Sequence, residues 1–128
     1  MNIKTGTVKV LVLESQARWR KHARNVLRGH FFDVVFALTT EQAASAINRQ
    51  KPDVLVVGDC VPSSGNAIGE DLVAFVKTIR REFPNLPMVA ISSNCNFGDI
   101  LKKAGCISHT IRSHLADELR ELLKSCPI

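Results

Sequence analysis

The chain alternates between two hydrophobic periods five times over, and that alternation constrains its fold more than any single motif. "VKVLVL" (Val8 to Leu13) is a short, nearly continuous apolar run of the kind found in buried strands. From Ser15 to Arg28 the apolar residues recur at helical spacing, and Gly29 supplies a stop. A second strand is expected over "FFDVVFAL" (Phe31 to Leu38). Thr39, with Gln42 three residues on, then opens a helix whose inner stripe is Ala43, Ala46 and Ile47. The third strand is Asp53 to Val57 or Gly58. A helix from near Gly69 follows, with Glu70 and Asp71 in its first turn, and Leu72, Phe75, Val76 and Ile79 on one face; Pro84 ends it. "PMVAIS" (Pro87 to Ser92) is the fourth strand. A short helix from about Phe97 to Ala104 is closed by Gly105, "CISHTI" (Cys106 to Ile111) is the fifth strand, and Leu115, Leu119 and Leu122 line a last helix.

Five strand–helix units with unbroken apolar strands imply a parallel sheet covered by helices on both faces, since an open face would impose an apolar–polar alternation. The expected architecture is flavodoxin-like α/β: three layers, five parallel strands in the order 2-1-3-4-5, right-handed crossovers. With 128 residues and neither linker nor repeat, the chain reads as one domain with its core from about residue 8 to 124. No apolar run approaches the roughly 18 residues that span a bilayer. The start, "MNIKTGTVKV", has no separate apolar segment or cleavage site, so a cytoplasmic location is expected. Cys60, Cys95, Cys106 and Cys126 have no metal-site spacing and read as free thiols. Cys60 and Cys95 follow neighbouring strands, which leaves a disulfide between them as an alternative.

The net charge is +5, and much of it sits in "QARWRKHARNVLRG". On a helix Arg18, Lys21, Arg24 and Arg28 form one stripe, while Trp19, Ala23, Val26 and Leu27 form another. This reads as a solvated face opposite a core-facing one. A nucleic-acid surface is the secondary reading, resting on charge alone without aromatic interleaving.

In an open parallel sheet, chemistry gathers at the carboxyl ends of the strands beside the switch point in strand order. Here that means Glu14 and Ser15 after the first strand, and Gly58 and Asp59 after the third. With those positions in view, the chain resembles the receiver domains of bacterial response regulators over nearly its whole length. "VLVLES" resembles the family's first strand and acidic pair, and "KPDVLVVGDCVP" its third strand with flanking prolines. "FPNLPMVAISS" resembles a fourth strand ending in a hydroxyl, and "LKKAGCISHTIRS" the alanine-glycine turn, fifth strand and lysine segment.

The resemblance implies phosphoryl transfer from a histidine kinase to an aspartate, with Mg²⁺ held by carboxylates, and a lysine and a hydroxyl clamping the phosphoryl oxygens. Such chemistry depends on positioning and positive charge more than covalent help. Residue by residue, the match is incomplete. Glu14 keeps the first acid, but Ser15, neutral, falls at the second. Gly58 falls at the phosphoacceptor, six residues after Pro52 and four before Pro62. Ser92 keeps the hydroxyl, His109 stands at the aromatic switch position, and Arg112 stands at the lysine. Ser15 reads as the N-cap of the first helix. An ion pair between Glu14 and Arg112 is expected, since the cation otherwise lacks its phosphoryl partner. The fourth helix is expected to be stunted.

The function expected from these residues is a receiver-like, non-enzymatic signalling module acting by phosphorylation-independent protein contact, with no cofactor. Its partner, a histidine kinase or an output domain, would bind the face from Phe97 to Lys124. Self-association as a homodimer is also open. The alternative is a working receiver phosphorylated on Asp59, with Mg²⁺ held by Glu14 and Asp59. That requires the backbone at Gly58 to re-aim the next side chain, because neighbouring strand residues point to opposite faces.

Overall fold

The run of valines and leucines that marks the strands alternates between two cores. In the computed structural model, which describes residues 8–27, 32–58, 68–92 and 95–125, β1 (Val8–Leu13) and β3 (Val54–Val57) sit at the centre of the sheet. Leu11, Leu13, Leu55 and Val57 face one way, and Val10, Val12, Val54 and Val56 the other. The remaining strands are β2 (Phe32–Ala37), β4 (Met88–Ile91) and β5 (Ser108–Thr110). All pair in parallel in the order β2-β1-β3-β4-β5, as the alternation requires.

One core is covered by α2 (Thr40–Gln50), α3 (Ile68–Glu82) and α4 (Cys95–Ala104), through Ala43, Ala46, Ile47, Leu72, Val76, Ile79 and Leu101. The other is covered by α1 (Ala17–Leu27) and α5 (Leu115–Ser125), through Leu27, Leu115, Ala116 and Leu119. Each fully buried Leu, Val or Ile contributes roughly 1.5–3 kcal/mol relative to leaving it in water. The central strands therefore anchor the domain. Switching sides along the strand order places the ends of β1 and β3 at a crevice between helix layers.

Local signals fix most boundaries. The Thr39 hydroxyl accepts from the Gln42 N–H at 3.1 Å, and the Gln42 side chain accepts from the Leu38 N–H at 2.9 Å. This is a capping box shifted by one residue on its return bond. Gly105 closes α4 at φ 149, with its N–H and that of Cys106 returning to the Leu101 carbonyl. Those bonds take Cys106 out of the sheet, so β5 is shorter than its apolar pattern suggests. Ten residues of α4 form, beginning at Cys95, two earlier than the pattern indicated. α1 begins later than expected, because the Gln16 carbonyl accepts the first helical bonds from Trp19 and Arg20. Gln16, not Ser15, is therefore the capping position. After β5 a single 3-10 turn, Arg112–His114, leads into α5.

Candidate functional site

Strand alternation carries Glu14 onward from Val10 and Val12, toward the layer of α1 and α5. It is 3% exposed, an unusual burial for a carboxylate, and burial of a charge requires partners. One carboxylate oxygen accepts from Arg112 Nη2 at 3.3 Å, and the other lies 3.4 Å from the Gln16 N–H at the start of α1. The expected ion pair thus forms between the end of β1 and the turn before α5, 98 residues apart in sequence. Its arginine side chain is 18% exposed, so the pair is only partly screened by solvent.

The arginine is held by more than charge. Its guanidinium lies 4.1 Å from the centroid of the Trp19 ring, a cation–π contact at close range. Trp19 is also approached by Arg18 at 4.8 Å, and His22 stands edge-on to it at 5.8 Å. Arg20 donates to the carbonyls of Glu14 (3.2 Å) and Ser15 (2.7 Å), tying α1 to the end of β1. Sequence periodicity had placed Trp19 on the inner stripe of α1, but nothing local foretold its stacking on Arg112. That contact depends on how α1 meets the segment after β5.

Gly58 completes the arrangement from β3. Its N–H donates to the Leu13 carbonyl at 2.9 Å, which presses the two chain ends together. A Cβ built on Gly58 would stand 2.8 Å from that carbonyl oxygen and 2.9 Å from Glu14 Oε1. The space a side chain at position 58 would occupy is therefore taken by the Glu14 carboxylate and the β1 backbone. Only glycine fits this approach without movement.

On the β4–β5 side, Ser92 is buried, and its N–H donates to the Thr110 carbonyl at 3.1 Å. His109 Nε2 lies 2.8 Å from the Ser92 carbonyl, and because a carbonyl only accepts, that nitrogen carries the proton. The ring fits because Gly98 of α4 has no side chain: a Cβ there would meet His109 ring atoms at 2.4–2.5 Å. An isolated glycine inside a helical pattern is the signal that could have revealed this approach.

Glu14, Gly58 and Arg112 thus converge, with Ser15 beside them on the Arg20 bond, and Ser92 and His109 form a neighbouring unit on β4 and β5. Asp59 and Cys60 lie outside the described residues, as does the side chain of Cys95, so neither a pocket at Asp59 nor a Cys60–Cys95 bridge is described. Cys106 is a free, buried thiol whose pKa burial pushes up to about 12, the setting of an inert packed cysteine. A Mg²⁺ ion requires oxygen ligands in near-octahedral array, commonly with one or two carboxylates. The described residues here offer one carboxylate, already opposed to a guanidinium, beside a neutral serine and a glycine. They do not fit that ion. Among the described residues no group of three His, Cys, Asp or Glu side chains could hold a metal.

The basic stripe of α1 is partly engaged within the fold, with Arg18 on Trp19 and Arg24 over the Phe36 ring at 5.0 Å. No helix among the described residues is long and apolar enough to cross a membrane. A cleft of about 500 Å³ opens at the opposite end of the sheet, between Lys51, Asp53, Glu82 and Phe83, away from every residue of the site.

Comparison with known proteins agrees with this architecture. No protein-family model matches the chain, and no curated protein matches it. Solved structures do. A response regulator from Thermotoga maritima aligns with a TM-score of 0.76 at 19% identity, covering 92% of this chain and 98% of that one. A putative response regulator from Chloroflexus aurantiacus J-10-fl aligns at 0.75 and 20% identity, covering 93% and 96%. The receiver domain of NtrX from Brucella abortus aligns at 0.73 and 19%, covering 91% and 95%. At these identities the likeness is one of fold: five parallel strands in the 2-1-3-4-5 order, clad by helices as in receiver domains.

Proposed function

We propose that this chain is a receiver-like signalling module of the two-component type that acts through protein–protein contact and not through aspartyl phosphorylation. The observation that carries this reading is the Glu14 carboxylate, lodged against Gly58 and paired with Arg112. In a phosphorylated receiver the corresponding cation meets a phosphoryl group; here it meets a carboxylate built into the chain. With that anion permanently present, the turn leading into α5 is held without a kinase, a metal or a turnover step. The module then needs neither catalytic residues nor Mg²⁺, and its output depends on which protein docks, by this reading a histidine kinase or an output domain.

The surface assigned to that docking is the face from Phe97 to Lys124, comprising α4, β5 and α5. Ile107, 47% exposed, and Ile111, 41% exposed, lie on it beside β5. Large apolar side chains left in water suit a partner surface better than a solvated one.

The test is incubation of the protein with acetyl phosphate and Mg²⁺, read by intact mass. The expected outcome is no added phosphoryl group. An adduct that disappears in Asp59→Ala would establish the working-receiver alternative instead.

A further inference from the structure

α3 and α4 pack side by side, and the residues that line the outer groove between them follow from helical geometry and two close contacts. At about 100° per residue, Arg80, Lys77 and Val73 lie on one flank of α3, beside its buried stripe of Leu72, Val76 and Ile79. A Cβ on Gly105, the residue that ends α4, would meet the Arg80 stem at 2.9 Å, so this flank faces α4. Gly98 of α4 faces His109 of β5. The opposite flank of α4, carrying Ile100 and Lys103, therefore faces α3.

The groove thus has an apolar centre, the partly buried Val73 and the 47% exposed Ile100, ringed by Lys77, Arg80 and Lys103. Arg80 is held in place, its stem against Gly105 and its guanidinium donating to the Pro84 carbonyl. Lys77 and Lys103 are exposed. Glu82 turns toward the α2 side, where it lines a cleft with Lys51, and Asp99, one turn before Lys103, stands at the outer rim of α4. Lys77 is spaced i, i+3 from Arg80 and i, i+4 from Arg81, an arrangement of like charges that disfavours a helix. Helix C-terminal turns attract cations through the macrodipole, which accounts for Arg80, Arg81, Lys102 and Lys103 but not for Lys77, a turn further in.

We infer that the α3–α4 groove docks an acidic amphipathic helix of a protein partner. Its apolar anchor seats on Ile100 and Val73, and its carboxylates reach Lys77, Arg80 and Lys103. This is a helix-in-groove mode, in which apolar anchors give affinity and flanking charges give orientation and encounter rate. Val73 to Arg80 spans about 10 Å of helix axis, enough to seat two turns of a partner. An apolar centre between cations favours an acidic helix over a phosphate backbone, which offers charge but no apolar anchor. The inference rests on the protein-contact reading and adds a second surface to it. Phosphorylation of Asp59 would sink that reading and leave this test standing, whereas failure of this test leaves that reading intact.

The probe is a labelled, helix-forming peptide of Leu, Ala and Glu with its leucines on one face, measured by fluorescence anisotropy against the full chain. A control peptide has every Glu replaced by Gln. Saturable binding is expected for the acidic peptide, weakening as salt shortens the Debye length below about 10 Å, and not for the control. Ile100→Asp, and Lys77→Glu combined with Lys103→Glu, should each weaken binding about tenfold or more, while Lys21→Glu on α1 leaves it unchanged. All of these side chains are exposed, and circular dichroism of each variant checks that the fold is retained. The inference is overturned by absence of saturable binding, or by equal binding of wild type and the groove variants. It is also overturned if duplex DNA binds more tightly and is lost in the same variants, which would make the groove a phosphate-binding surface.

Discussion

Replacing Gly58 by alanine asks the central question of the site with one carbon atom. The new Cβ would stand 2.8 Å from the Leu13 carbonyl oxygen and 2.9 Å from Glu14 Oε1, both well inside ordinary van der Waals contact. The carboxylate is the end of a side chain and can swing; the carbonyl belongs to the central strand and also accepts the Gly58 N–H. Overpacking of this kind costs about 1–3 kcal/mol. Gly58→Asp adds a second carboxylate near a buried one. Two like charges about 4 Å apart repel by about 4 kcal/mol at an effective dielectric of 20, so the variant should either unfold more easily or take up a proton. Urea denaturation of Gly58→Ala, Glu14→Ala and the double variant measures both terms. The expected result is destabilisation by Gly58→Ala that shrinks in the Glu14→Ala background, with a coupling of about 0.5–3 kcal/mol. A Gly58→Ala variant as stable as wild type, or one whose cost is indifferent to Glu14, would refute the claim that the carboxylate fills this space.

Arg112→Met leaves the Glu14 carboxylate buried without this cation. The pair is monodentate at 3.3 Å and its arginine partly exposed, so the expected loss is about 1–3 kcal/mol, below that of a fully buried pair, and Glu14→Gln in the same chain should recover part of it. Because the guanidinium sits over the sole tryptophan, the same variant should change Trp19 fluorescence in the folded state, and an unchanged spectrum would contradict the stacking. Gly98→Ala should displace the His109 ring and cost about 1–3 kcal/mol in thermal or urea melts, with His109→Ala relieving it. Cys106 has a folded-state pKa raised to about 12, so its contribution to stability is intact below the ordinary thiol value near 9 and declines as pH rises from there toward 12. Cys106→Ala should flatten that alkaline slope, and the native thiol should resist alkylation at pH 8 while the urea-unfolded chain reacts.

The layers and strand order were legible because they follow from short-range periodicity: Val10, Val12, Val54 and Val56 could not be anything but buried strand. The Thr39–Gln42 cap was equally local. The ends of elements were less so. Cys106 and Ile107 have strand-like side chains, yet the hydrogen bonds closing α4 claim the Cys106 N–H. Ser15 has the right chemistry for a cap, but Arg20 binds its carbonyl and the helix starts one residue later. At the site, opposite charges at two strand ends made the Glu14–Arg112 pair foreseeable. Trp19 and Gly98 were not assigned to it, because their roles arise from the packing of α1 and α4 against distant segments. The like-charge flank of α3 likewise gained meaning only when Gly105 located it beside α4.

The proposed function requires that the site hold its own anion and take no external phosphoryl group. The most direct measurement is a titration of the ¹⁵N-labelled protein with Mg²⁺ and beryllofluoride, a phosphoryl mimic, followed by amide chemical shifts. On that reading the Glu14, Gly58, Ser92 and Arg112 amides stay in place throughout. Saturable shifts of those amides that propagate into α4 and α5 would contradict it.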